Sequence, residues 1–326
     1  MDIVTGATGL LGNALVRELL NNGRELGLFV RKTSDIECFK DCCTEKFYGD
    51  VLDYDSIVKA FRKAENVYHA ASEISIMPGY SNYLDKVNIC GTKNIIKACI
   101  ECGVKRLVYT SSIHAFKEQE GNTVIDEKLS FDPYSKMGQY NRTKARASID
   151  VMNAAKDGLE TVIVCPTAII GPYDFKVSNL GSLFIDYCRK KQKIIIDGAY
   201  DFVDSRDVAI GHVLAAQKGQ SGQVYILSGQ RLTLPELMSM LEKITGIAAP
   251  RFRLPKWLAY SLGFAAPAYY AATKTKPKFT VYSVKTVNSN SYISHEKATR
   301  ELGYNPRPIN QTIADNIKWF EENNYF

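Results

Sequence analysis

The chain opens on a short apolar run, Ile3-Val4-Thr5, that leads straight into Gly6-Ala7-Thr8-Gly9-Leu10-Leu11-Gly12. Three glycines at three-residue intervals, between a strand and the start of a helical pattern, leave few folds open. Gly6 permits a tight turn, Gly9 lets a phosphate approach the backbone, and Gly12 lets the helix pack closely on the strand. Leu11, Leu15, Leu19 and Leu20 then recur at helical spacing until Asn22-Gly23 supplies a stop. The free N–H groups and positive dipole end of that helix would face the phosphates. The turn, with Gly6, Thr8, Gly9, Leu10, Leu11 and Gly12, is therefore expected to bind a dinucleotide.

The alternation continues. Leu26–Val30, Phe47-Tyr48, Val67–Ala70, Leu107–Thr110 and Thr161–Val164 are further short strands with helical patterns before or between them. A long helix preceding Thr161 is expected to start at Asp132-Pro133, since Asp is a good N-cap and Pro suits the first helical position. Short apolar strands alternating with helices predict an α/β fold, a doubly wound parallel sheet covered on both faces. From about Pro166 the pattern loosens. Ile194–Ile196, the FVDSRDVA segment at 202–209 and Val224–Leu227 are expected to return to the sheet. The reading is a dinucleotide-binding domain over 1–166 plus about 198–228. A smaller, interwoven C-terminal substrate lobe takes about 167–197 plus 229–326.

Composition narrows the partners. The 326 residues are 45% apolar and 23% charged, which excludes disorder, a collagen-like repeat and a membrane bundle. Lys and Arg number 41 against 35 Asp and Glu, a formal +6 that suits anionic small molecules before nucleic acid. Eight Cys are too sparse for a stapled secreted fold, and Cys99 and Cys102 have no second pair to make a zinc site. With four His in the chain, no metal is expected. The uncharged run Trp257–Thr273 is short for a bilayer and is broken by Gly263 and Pro267, so it reads as a helix packed on the protein itself. With Asp2-Ile3-Val4 following Met1 directly, no signal peptide or integral membrane segment is expected. The expectation is a cytoplasmic monomer or homodimer with a small-molecule substrate.

Three features carry chemistry. At the end of the second strand stand Arg31-Lys32, and the nearest acid, Asp35, comes several residues late. A carboxylate there would bind the ribose 2′-hydroxyl of NAD, whereas a guanidinium suits the 2′-phosphate of NADP, so NADP is favoured over NAD. The alternative for Arg31 is a solvated residue that merely caps the strand end. Tyr140 and Lys144 stand four apart on one helical face. A phenol with a pKa of about 10 relays protons poorly at neutral pH. A neighbouring ammonium stabilises the phenolate and makes it a usable acid or base. Ser111-Ser112 follow the strand Leu107–Thr110, where ligands of a doubly wound sheet sit, so Ser112 could share one substrate oxygen with Tyr140. Capping the strand end is the alternative for both serines.

TGATGLLG, VYTSS and YNRTK, in that order, resemble the extended short-chain dehydrogenase/reductases. So do GDVLD, NICGTKNI, CPTAIIGP, FVDSRDVA and SHEKATRELGYNPRP, and together they cover nearly the whole chain. The likeness is closest to the dihydroflavonol-reductase-like and 3β-hydroxysteroid-dehydrogenase-like branch. It implies a Rossmann sheet in which Ser112 polarises a carbonyl, Tyr140 transfers the proton, and Lys144 tunes Tyr140 and holds the nicotinamide ribose. Asn88 would support these catalytic residues. Asp50 and Val51 match an adenine-contacting pair, Ala70, Ala71 and Ser72 a segment beneath the cofactor, and Pro166 a position near the nicotinamide. Dehydrating relatives have an acid beside the strand-end hydroxyl; here the place reads Ser111-Ser112-Ile113-His114, which disfavours dehydration. His114 could reach the substrate cleft, but an isolated loop histidine reads first as ordinary surface. Asp204, Arg206 and Asp207 are expected to join the lobes by ion pairs. The resemblance implies an NADP-dependent reductase or dehydrogenase of a small or medium, fairly apolar substrate. Trp257, Tyr260, Phe264, Tyr269 and Tyr270 either line its pocket or pack in the core. Alternatives are an epimerase of nucleotide sugars that retains NAD, and a non-catalytic NADP-binding sensor.

Overall fold

The computed structural model describes residues 1–275 and 277–326. The first half runs Asp2–Thr5 (β1), Leu10–Asn21 (α1), Leu26–Val30 (β2), Thr44–Tyr48 (β3), Tyr54–Phe61 (α2), Asn66–His69 (β4), Asn82–Asp85 (α3), Thr92–Glu101 (α4), Arg106–Thr110 (β5), Gln139–Lys156 (α5) and Thr161–Pro166 (β6). The second runs Ala168–Ile170 (β7), Asn179–Cys188 (α6), Ile194–Ile196 (β8), Ala199–Asp204 (β9), Ser205–Lys218 (α7), Gln223–Leu227 (β10), Gln230–Thr233 (β11), Leu234–Thr245 (α8), Phe252–Leu254 (β12), Lys256–Thr273 (α9), Val281–Val287 (α10), Glu296–Leu302 (α11) and Ile309–Glu322 (α12). A six-residue π-helical stretch, Lys86–Gly91, joins α3 to α4.

Seven strands form one sheet in the order β10-β6-β5-β4-β1-β2-β3, and each neighbouring pair is parallel. Successive side chains of a strand point to opposite faces. Ile3 and Leu107 accordingly pack with Phe61 and Ile95 of α2 and α4. Their successors Val4 and Val108 pack with Leu15 of α1 and Val208 of α7 on the other face. Tyr109, Ile163 and Ile226 meet Val151 of α5. Each such side chain taken out of water stabilises by about 1.5–3 kcal/mol, which fixes the strand register. Because all strands run the same way, their carboxyl ends share one edge. That edge holds the chemistry.

Two expectations are corrected. The long helix α5 starts at Gln139 rather than at Asp132-Pro133. The Asp132 carboxylate instead accepts from Tyr134 N at 2.9 Å, closing a local turn that competes with helix capping. Of the three later segments expected in the sheet, only β10 joins it. β9 sits between β7 and β11 in a three-stranded sheet, and β8 pairs with β12. These small sheets surround a second core of Phe184, Tyr187, Phe202, Leu237, Ile313 and Phe320. The short apolar runs gave no sign of which sheet they join.

The expected ion pairs at Asp204, Arg206 and Asp207 form, and they reach the C-terminal segment. Arg206 bridges Asp204 at 2.7 Å and Asp315 of α12 at 2.6 Å, and Arg307 bonds Asp207 at 2.8 Å. Helix α9 meets the core-packing expectation only at Tyr260, which packs against Leu254, Ala259 and Val284. It rests on α10 through one narrow stripe that includes Ala259 and Gly263, and it leaves Trp257, Phe264 and Tyr269 facing outwards. No helix among the described residues is long and apolar enough to cross a membrane.

Candidate active site

The carboxyl edge gathers the sequence-predicted residues from six strands. The glycine turn follows β1, Arg31 and Lys32 follow β2, and Asp50 and Val51 follow β3. Ala70–Ser72 follow β4, Ser111-Ser112 follow β5, and Pro166 ends β6. At the turn, Gly6 has φ +72°, and a Cβ there would lie 2.5 Å from Ala71 N. A Cβ on Gly12 would lie 2.1 Å from Gly6 O. Both glycines are thus required by the protein's own packing. Gly9 is different: its Cβ would meet only Gly6 O, at 3.5 Å. It caps α1, whose first turn has no capping side chain and no acid. Orphan N–H groups and an open Cβ position suit an anionic group brought in from outside, so these residues fit a dinucleotide pyrophosphate.

On the adenosine side, Arg31 Nη1 donates to the Tyr83 hydroxyl at 3.2 Å. No motif in the sequence points to Lys176. Its ammonium reaches from the second lobe to donate to Thr8 Oγ1 at 2.6 Å. Burial, and then the nearby Arg31 guanidinium, hold it below the usual lysine range. Two cations therefore converge beside the turn hydroxyl. Asp50 accepts from Leu52 N at 2.9 Å, and Val51 is buried against Gly91.

The phenol of Tyr140 lies beside the Ser112 hydroxyl, which accepts from His114 N at 3.2 Å. Lys144, one turn along α5 and 2% exposed, donates to Thr110 O at 2.5 Å and lies 4.7 Å over the Tyr109 ring. Thr110 is braced in turn. His212 Nδ1 donates to Val208 O at 2.7 Å, so its Nε2 accepts from Thr110 Oγ1 at 2.8 Å. Burial lowers the Lys144 ammonium to about 7. It also raises the Tyr140 phenol to about 12, an effect that the Ser112 hydroxyl only partly offsets. The lowered phenol expected from the Tyr-Lys spacing is thus absent from the protein alone, because the ammonium faces a carbonyl and the site is dry.

Asn88 lies in the π-helical stretch, and four bonds engage its amide. Oδ1 accepts from Glu73 N at 2.8 Å and Ser72 Oγ at 3.1 Å, while Nδ2 donates to Glu73 O at 2.9 Å and Thr143 Oγ1 at 3.1 Å. Thr143 donates to Tyr140 O at 2.8 Å. Asn88 therefore sets where the segment after β4 and the start of α5 stand, which is a positioning arrangement.

His114 is corrected from ordinary surface. It is half-buried, its ring lies 6.5 Å from that of Tyr282, and burial lowers it to about 4, so it is a neutral wall of the cleft. Tyr282 of α10 donates to Asn141 Oδ1 at 2.8 Å. Neither Tyr282 nor Lys176 carries a local motif; only the tertiary fold brings them here.

A phenol beside a serine hydroxyl, with a buried lysine one turn on, near a glycine turn at the carboxyl edge of a parallel sheet, defines a dinucleotide-dependent oxidoreductase. The NAD dependent epimerase/dehydratase family matches residues 3–228. The sterol demethylase protein B of Methylococcus capsulatus is 34% identical over 323 residues, covering 98% of this chain and 98% of that one. The sterol-4-alpha-carboxylate 3-dehydrogenase, decarboxylating, of Mus musculus is 29% identical over 324 residues, covering 93% and 86%. The structure of UDP-glucose 4-epimerase from Thermotoga maritima superposes with a TM-score of 0.80 at 20% identity, covering 99% of each chain, a likeness of fold. The chain belongs to the NAD dependent epimerase/dehydratase family, within the extended short-chain dehydrogenase/reductases, and is an NAD(P)-dependent oxidoreductase.

Gly9→Ala should fold with stability within about 0.5 kcal/mol of the parent, yet bind dinucleotide at least about tenfold more weakly. Gly12→Ala should lose about 3 kcal/mol; urea unfolding and cofactor titration separate the two. Lys144 predicts a pH dependence. Folded protein releases its proton near 7, and the unfolded chain holds it to about 10.5. Unfolding in that window takes up a proton, so stability rises with pH by roughly 1 kcal/mol per unit. Unfolding curves of Lys144→Met at about pH 7 and about pH 9 should lack this rise.

Proposed function

We propose that the protein is an NADP-dependent dehydrogenase of a secondary alcohol on a fused-ring lipid of the sterol class, operating reversibly. Residues 1–166 and about 198–228 would carry the cofactor, and the remainder would close over the substrate. The observation that carries the chemistry is the Ser112 hydroxyl beside the Tyr140 phenol, with buried Lys144 one turn away. Ser112 orients the substrate oxygen, and the Tyr140 phenolate takes its proton as the alcohol becomes a ketone. Lys144, near 7 when buried, exchanges protons at neutral pH and stabilises that phenolate once it turns from Thr110. When bound, the oxidised nicotinamide supplies the hydride acceptor and a positive charge. Tyr140, Lys144 and Pro166 would border it, and Ala70, Ala71 and Ser72 would run beneath.

The substrate class is supported by the walls of the cleft and by the relatives. Tyr282 stands near the phenol, with His114 and Tyr200 beside Tyr282 in turn, and burial holds the Tyr282 and Tyr200 hydroxyls neutral. Such walls favour an apolar body over a diphosphate. The printed name of the mouse relative couples dehydrogenation to decarboxylation. Oxidising an alcohol beside a carbon that carries a carboxylate gives a β-keto acid, which loses carbon dioxide without a further catalytic group. NADP is supported by Arg31 and Lys176 beside Thr8, with Lys32 next in the chain.

With NADP and a panel of 3-hydroxysteroids, 4-carboxysterols and UDP-sugars, absorbance of reduced cofactor should rise only with the fused-ring alcohols. Tyr140→Phe should lower that turnover at least about a hundredfold while cofactor affinity stays within about twofold. Interconversion of UDP-sugars without net cofactor change would establish the epimerase instead. Arg31→Ala and Lys176→Ala should each weaken NADPH about tenfold or more and leave NADH nearly unchanged. Equal losses for both cofactors would end the phosphate assignment.

A further inference from the structure

Helix α9 is apolar on nearly every side but covered on only one. Ala259 and Gly263 face inwards, and a Cβ on Gly263 would lie 2.8 Å from Val281 N, so the helix presses against the start of α10. Trp257, Phe264 and Tyr269 are 70%, 74% and 61% exposed, with Leu262 also outside. A helix apolar all round belongs in a core or in lipid. The stretch of sequence that carries it is charged in one sense only. The 53 residues between Glu242 and Glu296 contain eight of the chain's 41 Lys and Arg and none of its 35 Asp and Glu. Two of these cations meet acids from elsewhere in the chain, Arg253 with Asp197 at 3.6 Å and Lys278 with Asp186 at 2.5 Å. Lys256 and Lys274 stand exposed at the two ends of α9, about 27 Å apart along its axis.

The helix is also fastened to the cleft. The Tyr270 hydroxyl accepts from Phe279 N at 3.0 Å, and Thr280 Oγ1 donates to Ile76 O at 2.7 Å in the loop after β4. That loop exposes Ile74 and Tyr80. Two residues beyond Thr280, Tyr282 bonds Asn141 of the catalytic helix.

We propose that α9 is an interfacial anchor that lies in the plane of an anionic phospholipid bilayer. Its aromatic face enters the boundary between headgroups and acyl chains, and the flanking lysines and arginines meet lipid phosphates. The mouth of the cleft beside α10 then faces the membrane, so an apolar substrate passes in without crossing water. A second copy of this chain fits the face less well, since two such surfaces would set one acid-free basic region against another. The anchor stands apart from the identity of the substrate, because its test reads no turnover.

Full-length protein should co-sediment with phosphatidylcholine vesicles that contain phosphatidylglycerol and remain in solution with phosphatidylcholine alone, and high salt should release it. Trp319 is 8% exposed, so a blue shift and quenching by brominated acyl chains report Trp257. Replacing both Trp257→Ser and Phe264→Ser should lower partitioning at least about tenfold, and Lys256→Gln with Lys274→Gln about fivefold per cation. In each, an unchanged melting temperature and unchanged NADPH affinity separate loss of the anchor from misfolding. No binding to anionic vesicles, or bound protein with unquenched Trp257, overturns the proposal. So does a lipid-free dimer that the same substitutions disperse, which would assign the face to a second copy. The quenching measurement needs no variant, and a panel with no active substrate would leave it intact.

Discussion

One buried run of hydrogen bonds holds the cofactor turn and the reactive tyrosine in a common frame. Ala71 N donates to Thr5 Oγ1, which donates to His69 Nδ1; His69 Nε2 donates to Thr92 Oγ1, and Thr92 donates to Asn88 O. From Asn88 the run passes through Thr143 to the carbonyl of Tyr140. Every member is neutral, since burial lowers His69 to about 3. A low-dielectric interior strengthens such a chain when all of its members are satisfied and penalises any gap. The strand that bears the glycine turn and the helix that bears the phenol are thereby placed relative to one another without a charge between them.

Against that neutral frame, the cations near the cleft stand out. Lys144 is desolvated and turned to a carbonyl, and Lys176 and Arg31 crowd beside Thr8. Lys144 and Lys176 are each held in a setting that raises the free energy of the charge, and an anion or a phenolate relieves it. Affinity for a phosphorylated cofactor and reactivity at the phenol thus share one origin, cations held with too little water.

Local signals were legible in the sequence, and crossings between distant segments were not. Gly6, Gly9 and Gly12 announce themselves because a strand, a turn and a helix must meet within a dozen residues, and Tyr140 with Lys144 because four residues make one helical turn. The fold class followed from alternating short strands, and the family from motifs spread along the whole chain. Lys176 lies 168 residues from Thr8, and no periodicity links them. Tyr282 reaches Asn141 across 141 residues. β8 and β9 read as members of the main sheet because a three- to six-residue apolar run carries no mark of its partner. Asp132-Pro133 resembles a helix start until the carboxylate is seen closing a turn of its own.

The π-helical stretch at Lys86–Gly91 has a consequence for how such chains diverge. A wider turn holds one residue more than the regular helix would need, and that surplus sets the azimuth of Asn88. Deleting a single residue there would heal the helix and leave the seven-stranded sheet and the glycine turn in place, while shifting Val87 in the core beneath α2 and α4. The carboxamide would swing by about 100° away from Glu73 and Thr143. A one-codon loss would therefore break the run of hydrogen bonds that reaches Tyr140 while sparing the nucleotide turn, a route from catalyst to sensor whose cost is the buried bonds of Asn88.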